Sequence, residues 1–221
     1  MTNTELYLYA KAKNGSGGGS SDAEQILKGI IEGNIRELVI PNGVTSIGEY
    51  VFHGHLSLTS VTIGNNVTTI GEGAFAECES LTSVTIGNSV TTIGHGAFFG
   101  CINLTSVTIG NSVTTIGHGA FEYCTRLTSV TIPDTVTTIG EGAFVECYSL
   151  TSVTIGNGFN ADNLDLSYSE LLSVDTLVGM LNALADRTGL SAYTLTLGST
   201  NLEKLSNEQI AIATEKNWTL A

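Results

Sequence analysis

The sequence is short of charge, and of positive charge above all. Charged residues make up 13 % of its 221 residues, with 8 Lys or Arg against 21 Asp or Glu, a formal net charge of -13. An acidic surface repels phosphate, which disfavours nucleic-acid and anionic-membrane partners. Long apolar runs are missing too. No stretch approaches the roughly 18 consecutive apolar residues of a membrane span. Residues 1–14 hold no basic segment leading into an apolar run, so no signal peptide is read there. Enzyme signatures are also wanting: there is no GxSxG, HExxH, P-loop or CxxC. The expectation is a chain that is not an enzyme and takes no cofactor.

What the sequence does have is repetition. Leu81 to Phe98 reads LTSVTIGNSVTTIGHGAF, and Leu104 to Phe121 repeats it without change, a period of 23 residues. Leu58, Leu127 and Leu150 fall in the same register, and Ile35 opens the series. Such a period marks a stacked array. Leu81, Val84 and Ile86 form an LxxLxL strand signature. Val90 with Ile93, and Ala97 with Phe98, supply two further apolar pairs. One coil cannot bury three apolar sides alone, but stacked coils share a continuous core. Hydrophobic residues, 42 % of the chain, suffice for that core, while Thr, Ser, Asn and Gly must furnish the surface. Ser-x-Thr pairs such as Ser83/Thr85 and Ser106/Thr108 alternate with the inward Val and Ile, so their hydroxyls should line the concave face.

The string Ile-Gly, Ala-Phe, Cys, Leu-Thr-Ser resembles the BspA-like (Treponema pallidum type) bacterial leucine-rich repeat, from Ile35 to about Asn157. The resemblance implies an α/β leucine-rich-repeat right-handed solenoid of 23-residue coils. Its parallel sheet would lie on the concave face and short turns or helices on the convex side. It implies recognition or adhesion at a cell surface and brings no catalytic residue with it. The family usually has Pro after the strand, as at Pro41 and Pro133. Gly64, Gly87, Gly110 and Gly156 stand there instead, which should loosen the turn and leave the coil intact.

The ends read as caps. Residues 1–14 form an N-terminal segment that could self-associate, 15–21 a Gly/Ser linker, and 22–34 a capping helix opened by Ser21-Asp22-Ala23-Glu24. The repeats occupy 35–157 and a C-terminal cap 158–221. In that cap, strands are expected at Asn163 to Leu166, Tyr193 to Leu197 and Trp218 to Leu220. Helices should start after Ser173 and at the capping box Ser206/Gln209, and the whole should continue the sheet with longer coils. The stretch LGSTNLEKLSNEQIAIATEKNWTLA resembles tails of repeat proteins from gut bacteria and their prophages. It implies an alternative role as a structural or receptor-binding part of a phage particle.

Cys78, Cys101, Cys124 and Cys147 occupy one column, with His55 in the first coil. Coils about 4.8 Å apart spread the four thiols over roughly 14 Å, too far for one zinc ion. Buried reduced thiols are expected. Glu49, Glu72, His95, His118 and Glu141 form a second column in which only neighbouring rungs could share an ion, so a solvated row is expected and no metal. The coils differ mainly around the Cys. Recognition of a protein or glycan must rest where coils are not copies, and Phe99, Tyr123, Arg126 and Tyr148 are the candidate contacts.

Overall fold

The computed structural model describes residues 35–40 and 43–221. The N-terminal segment, the linker and the capping helix expected over residues 1–34 lie outside them. So does Pro41.

The LxxLxL segments form a six-stranded parallel main sheet in the order β1(Glu37–Val39), β3(Ser60–Ile63), β5(Ser83–Ile86), β7(Ser106–Thr108), β9(Ser129–Ile132) and β11(Ser152–Ile155). Each strand pairs with the same column of the next coil, Ser60 with Ser83 and Val61 with Val84, a step of 23 residues. Val and Ile point into the core, while the Ser and Thr between them stay exposed or half-buried. β-branched residues favour this half-buried pleated surface.

A second parallel sheet, which the sequence pattern did not announce, is formed by Ser-Ile and Thr-Ile pairs: β2(Ser46–Ile47), β4(Thr69–Ile70), β6(Thr92–Ile93), β8(Thr115–Ile116) and β10(Thr138–Ile139). Two-residue strands are too short to show an alternation in sequence. They are held by stacking rather than by propensity. Threonine hydroxyls reinforce both sheets, donating to the carbonyl one coil back. Thr82 bonds to Thr59 and Thr105 to Thr82 at 2.9–3.0 Å, and Thr91 to Thr68 and Thr114 to Thr91 at 3.1 Å.

Between the sheets, Phe52, Phe75, Phe98, Phe121 and Phe144 stack with ring centroids 5.0–5.3 Å apart and planes within 9°. All five are fully buried. Each contributes about 1.5–3 kcal/mol of burial. Glycine sets how closely the coils approach. A Cβ on Gly94 would lie 2.7 Å from the Gly71 carbonyl carbon, and one on Gly87 2.6 Å from the Ile63 oxygen. Of the glycines that stand in the proline column, Gly87 and Gly110 leave no room for a Cβ against the preceding coil. The irregular joint lies between β7 and β9, beside Pro133. Gly156 donates its N–H to Ile132 O at 2.9 Å, whereas a proline has no N–H to give. Pairing of β7 with β9 is reduced to Ser106 with Ser129.

After the coils, the expected strands and helices are present, but they do not extend the main sheet. β12(Leu164–Asp165), β13(Tyr193–Thr196) and β14(Trp218–Leu220) make a separate three-stranded parallel sheet. One period beyond Ser152 falls on Asp175, inside helix α1(Val174–Ala183), which packs on β11 and covers its open edge. Ser173 caps α1 by accepting from Thr176 N–H. A short helix α2(Ser199–Leu202) was not legible in the sequence. The Ser206/Gln209 capping box opens α3(Asn207–Glu215) as the sequence predicts.

Few cations serve this region, and they act as staples. Lys216 Nζ donates to the carbonyls of Leu181, Asn182 and Leu184 at the end of α1, 2.6–3.2 Å away. That satisfies acceptors a helix terminus leaves open. Arg187 is buried over the Tyr193 ring, 3.3 Å from its centroid, and donates to Ser191 O.

Candidate interaction surface

The turn joining each second-sheet strand to the next main-sheet strand carries the variable residues. It begins with the Glu49, Glu72, His95, His118, Glu141 column, all exposed. The rings of His95 and His118 are 5.3 Å apart. His118 Nδ1 contacts the backbone carbonyl of Glu141, not its carboxylate. Among the described residues, no three His, Cys, Asp or Glu side chains converge as a metal site.

Two later positions of the turn need positive φ. Glycine fills the first at Gly73, Gly96, Gly119 and Gly142, but Tyr50 holds it in the first coil at φ 54. The Tyr50 ring lies where a Gly73 side chain would be, and its hydroxyl donates to Glu72. The second position is Gly54 and Gly100 in two coils, and Glu77, Tyr123 and Glu146 in the other three, at φ 57–60. Left-handed backbone costs an L-residue about 1–2 kcal/mol.

Next comes the cysteine column. Each thiol is buried and unpaired, and each donates to a Phe carbonyl of the preceding coil, as Cys78 does to Phe52 O at 3.0 Å. Burial pushes Cys78 and Cys147 up to about 12, and Cys101 and Cys124 well above the ordinary thiol value. Thiolate is thus suppressed, and with it nucleophilicity. Burial also lowers the pKa of His55, at the head of this column.

The four proposed contacts divide. Phe99 is half-buried and meets Tyr123 edge to face, centroids 5.6 Å apart. Tyr148 meets Tyr168 likewise at 6.1 Å, and Tyr168 is a neighbour the repeat pattern could not reveal, since it belongs to the cap. Glu146 joins the two pairs. The Tyr148 hydroxyl donates to its Oε2 at 2.8 Å, and bonding to Glu146 raises the pKa of Tyr123 and takes that of Tyr148 to about 12. Tyr123, Tyr148 and Tyr168 remain 39 %, 46 % and 45 % exposed. Arg126 lies in a different column, its Nη1 donating to Asn103 Oδ1 at 2.9 Å. Beside Phe99 opens a shallow groove of about 310 Å³, reaching back to Tyr50 and walled by Glu72, Glu77 and Glu122 together with His53, His95 and His118.

Two stacked parallel sheets with an unbroken core of Leu, Val, Ile and Phe columns define a leucine-rich-repeat solenoid. Residues 31–151 match, in six copies, the family described as the BspA type leucine rich repeat region, and the chain belongs to that family. Among solved structures, a leucine rich repeat protein of T. pallidum is similar with a TM-score of 0.64 and 22 % identity, over 84 % of this chain and 85 % of that one. A leucine-rich repeat protein from Bacteroides ovatus is similar with a TM-score of 0.53 and 27 % identity, over 85 % of this chain and 42 % of that one. A leucine rich cell surface protein from Faecalibacterium prausnitzii gives 0.45 and 36 % identity, over 55 % of this chain and 39 % of that one. The chain spans less than half the length of the last two. No curated protein matches it. No helix among the described residues is long and apolar enough to cross a membrane.

Proposed function

We propose that this chain is a non-enzymatic recognition module that binds a protein or glycan at a bacterial surface, through the turn edge bearing Phe99, Tyr123, Arg126 and Tyr148. The carrying observation is the second positive-φ column. Gly54 and Gly100 show that glycine fits there, yet Tyr123 and Glu146 hold side chains at φ 60. Strain of that kind points to a use beyond the fold. The two side chains meet in an exposed aromatic cluster, the composition from which binding hot spots are built. The main-sheet face, by contrast, repeats Ser and Thr from coil to coil and offers a partner little to distinguish.

The test compares the chain with its Phe99→Ala, Tyr123→Ala, Arg126→Ala, Tyr148→Ala variant on panels of immobilised extracellular proteins and glycans. Circular dichroism verifies that both are folded. Affinity should fall at least about tenfold, the loss of one or two hot spots. Unchanged affinity would sink the assignment.

A further inference from the structure

The chemistry of this edge also selects among partners. Resting on the recognition reading above, we infer that the strip from Phe99 to Tyr168 and the adjoining groove bind an extended, cationic segment of a protein, one bearing Arg or Lys side chains.

Charge gives the first argument. Between residues 35 and 157 the chain has nine carboxylates and two guanidinium groups, Arg36 and Arg126. Among the described residues, the one contact within 4.0 Å between a carboxylate and a basic side chain is His53 to Glu77, at 3.7 Å. Glu77 thus faces an imidazole, while Glu72 accepts from Tyr50 and Glu146 from Tyr148, and among the described residues no Lys or Arg lies within 4.0 Å of a carboxylate. The cap's cations cannot serve them, since Lys216 and Lys204 are committed to backbone carbonyls and Arg187 to Ser191 and Tyr193.

Ring chemistry gives the second. Tyr123, Tyr148 and Tyr168 are exposed aromatics that meet their neighbours edge to face rather than stacked. An aromatic face attracts a guanidinium or ammonium group, by about 0.5–1 kcal/mol at exposed sites. Glu146 lies between the two aromatic pairs and can accept from the same cation. Glu72, Glu77 and Glu122 stand on the groove wall among His53, His95 and His118, with no Lys or Arg there, so one cation after another along an extended peptide would find a carboxylate or a ring. Arg126, the single cation beside the strip, is turned towards Asn103.

Fluorescence anisotropy with labelled hexa-arginine tests this on the full chain. Hexa-glutamate and a neutral hexasaccharide, cellohexaose, serve as competitors and controls. Hexa-arginine should bind, and the affinity should weaken as salt rises. Tyr123→Ala with Tyr148→Ala should lower it at least about fivefold. Glu146→Gln should lower it too, while Tyr123→Phe with Tyr148→Phe, which keeps the rings, should largely restore it. Glu203→Gln, an exposed carboxylate of the cap, should change nothing. The inference is overturned by three results: no binding of hexa-arginine, an equal loss from Glu203→Gln, or binding of cellohexaose in its place. Any of these, with loss of panel binding in the four-alanine variant, would leave the recognition reading standing. A four-alanine variant that still binds its panel partner would remove that reading separately.

Discussion

At the residue scale, each side chain answers to its counterparts one coil away. The cysteine column shows what this does to chemistry. A thiol boxed between Phe carbonyls of adjacent coils is a small apolar filler with a weak donor. Its folded pKa is raised, so it favours the folded state while neutral. That stability is whole below the unfolded value near 9.0 and is lost as pH climbs towards about 12. Urea unfolding should therefore weaken by about 1.4 kcal/mol per thiol between pH 7 and pH 10. The variant with all four Cys→Ala should lose most of that slope, though it starts from lower stability. Iodoacetamide should leave all four thiols unmodified in the native chain at pH 8. Rapid labelling, or the same slope without the thiols, would contradict the burial assigned to them. The buried thiol column was legible in the sequence because its spacing alone excluded a shared zinc ion. Tyr168 was not, since it lies outside the period and reaches Tyr148 only through the fold of the cap.

Among elements, hydrophobic columns were legible and hydrogen-bond partners were not. Leu81, Val84 and Ile86 announce a strand by alternation. Thr92-Ile93 forms a strand only because Thr69-Ile70 and Thr115-Ile116 lie on either side. The cap departs from expectation for a similar reason. Helix α1 has the pattern of any amphipathic helix, and nothing local says that it replaces the next strand of the main sheet. Backbone pairing also varies from joint to joint in a way the residue pattern does not announce, and the β7–β9 pairing is the sparsest of the main sheet. Hydrogen exchange should find the Val130 and Thr131 amides less protected than Val84 and Thr85. Equal protection would contradict a weak joint between β7 and β9.

On the scale of the whole molecule, sameness and difference are segregated. Identical coils build the core and both sheets. The departures collect on the edge that follows each Ala-Phe pair, where exposed aromatics and carboxylates accompany a left-handed backbone. The cap closes the array with α1 over β11 and spends its few cations on its own carbonyls, which leaves the repeat region acidic. The sequence reading located this edge from variation among coils. It could not see that Glu146 ties Tyr148 to Tyr123, because that contact depends on how the turns stack. The measurement that tests the account most directly is a hydrogen-exchange footprint of the chain bound to a partner identified on the panels. Protection over residues 99–102, 122–126 and 145–148, with the Ser and Thr strands of the main sheet unchanged, is the predicted result. Protection confined to those strands, or to the cap, would contradict it.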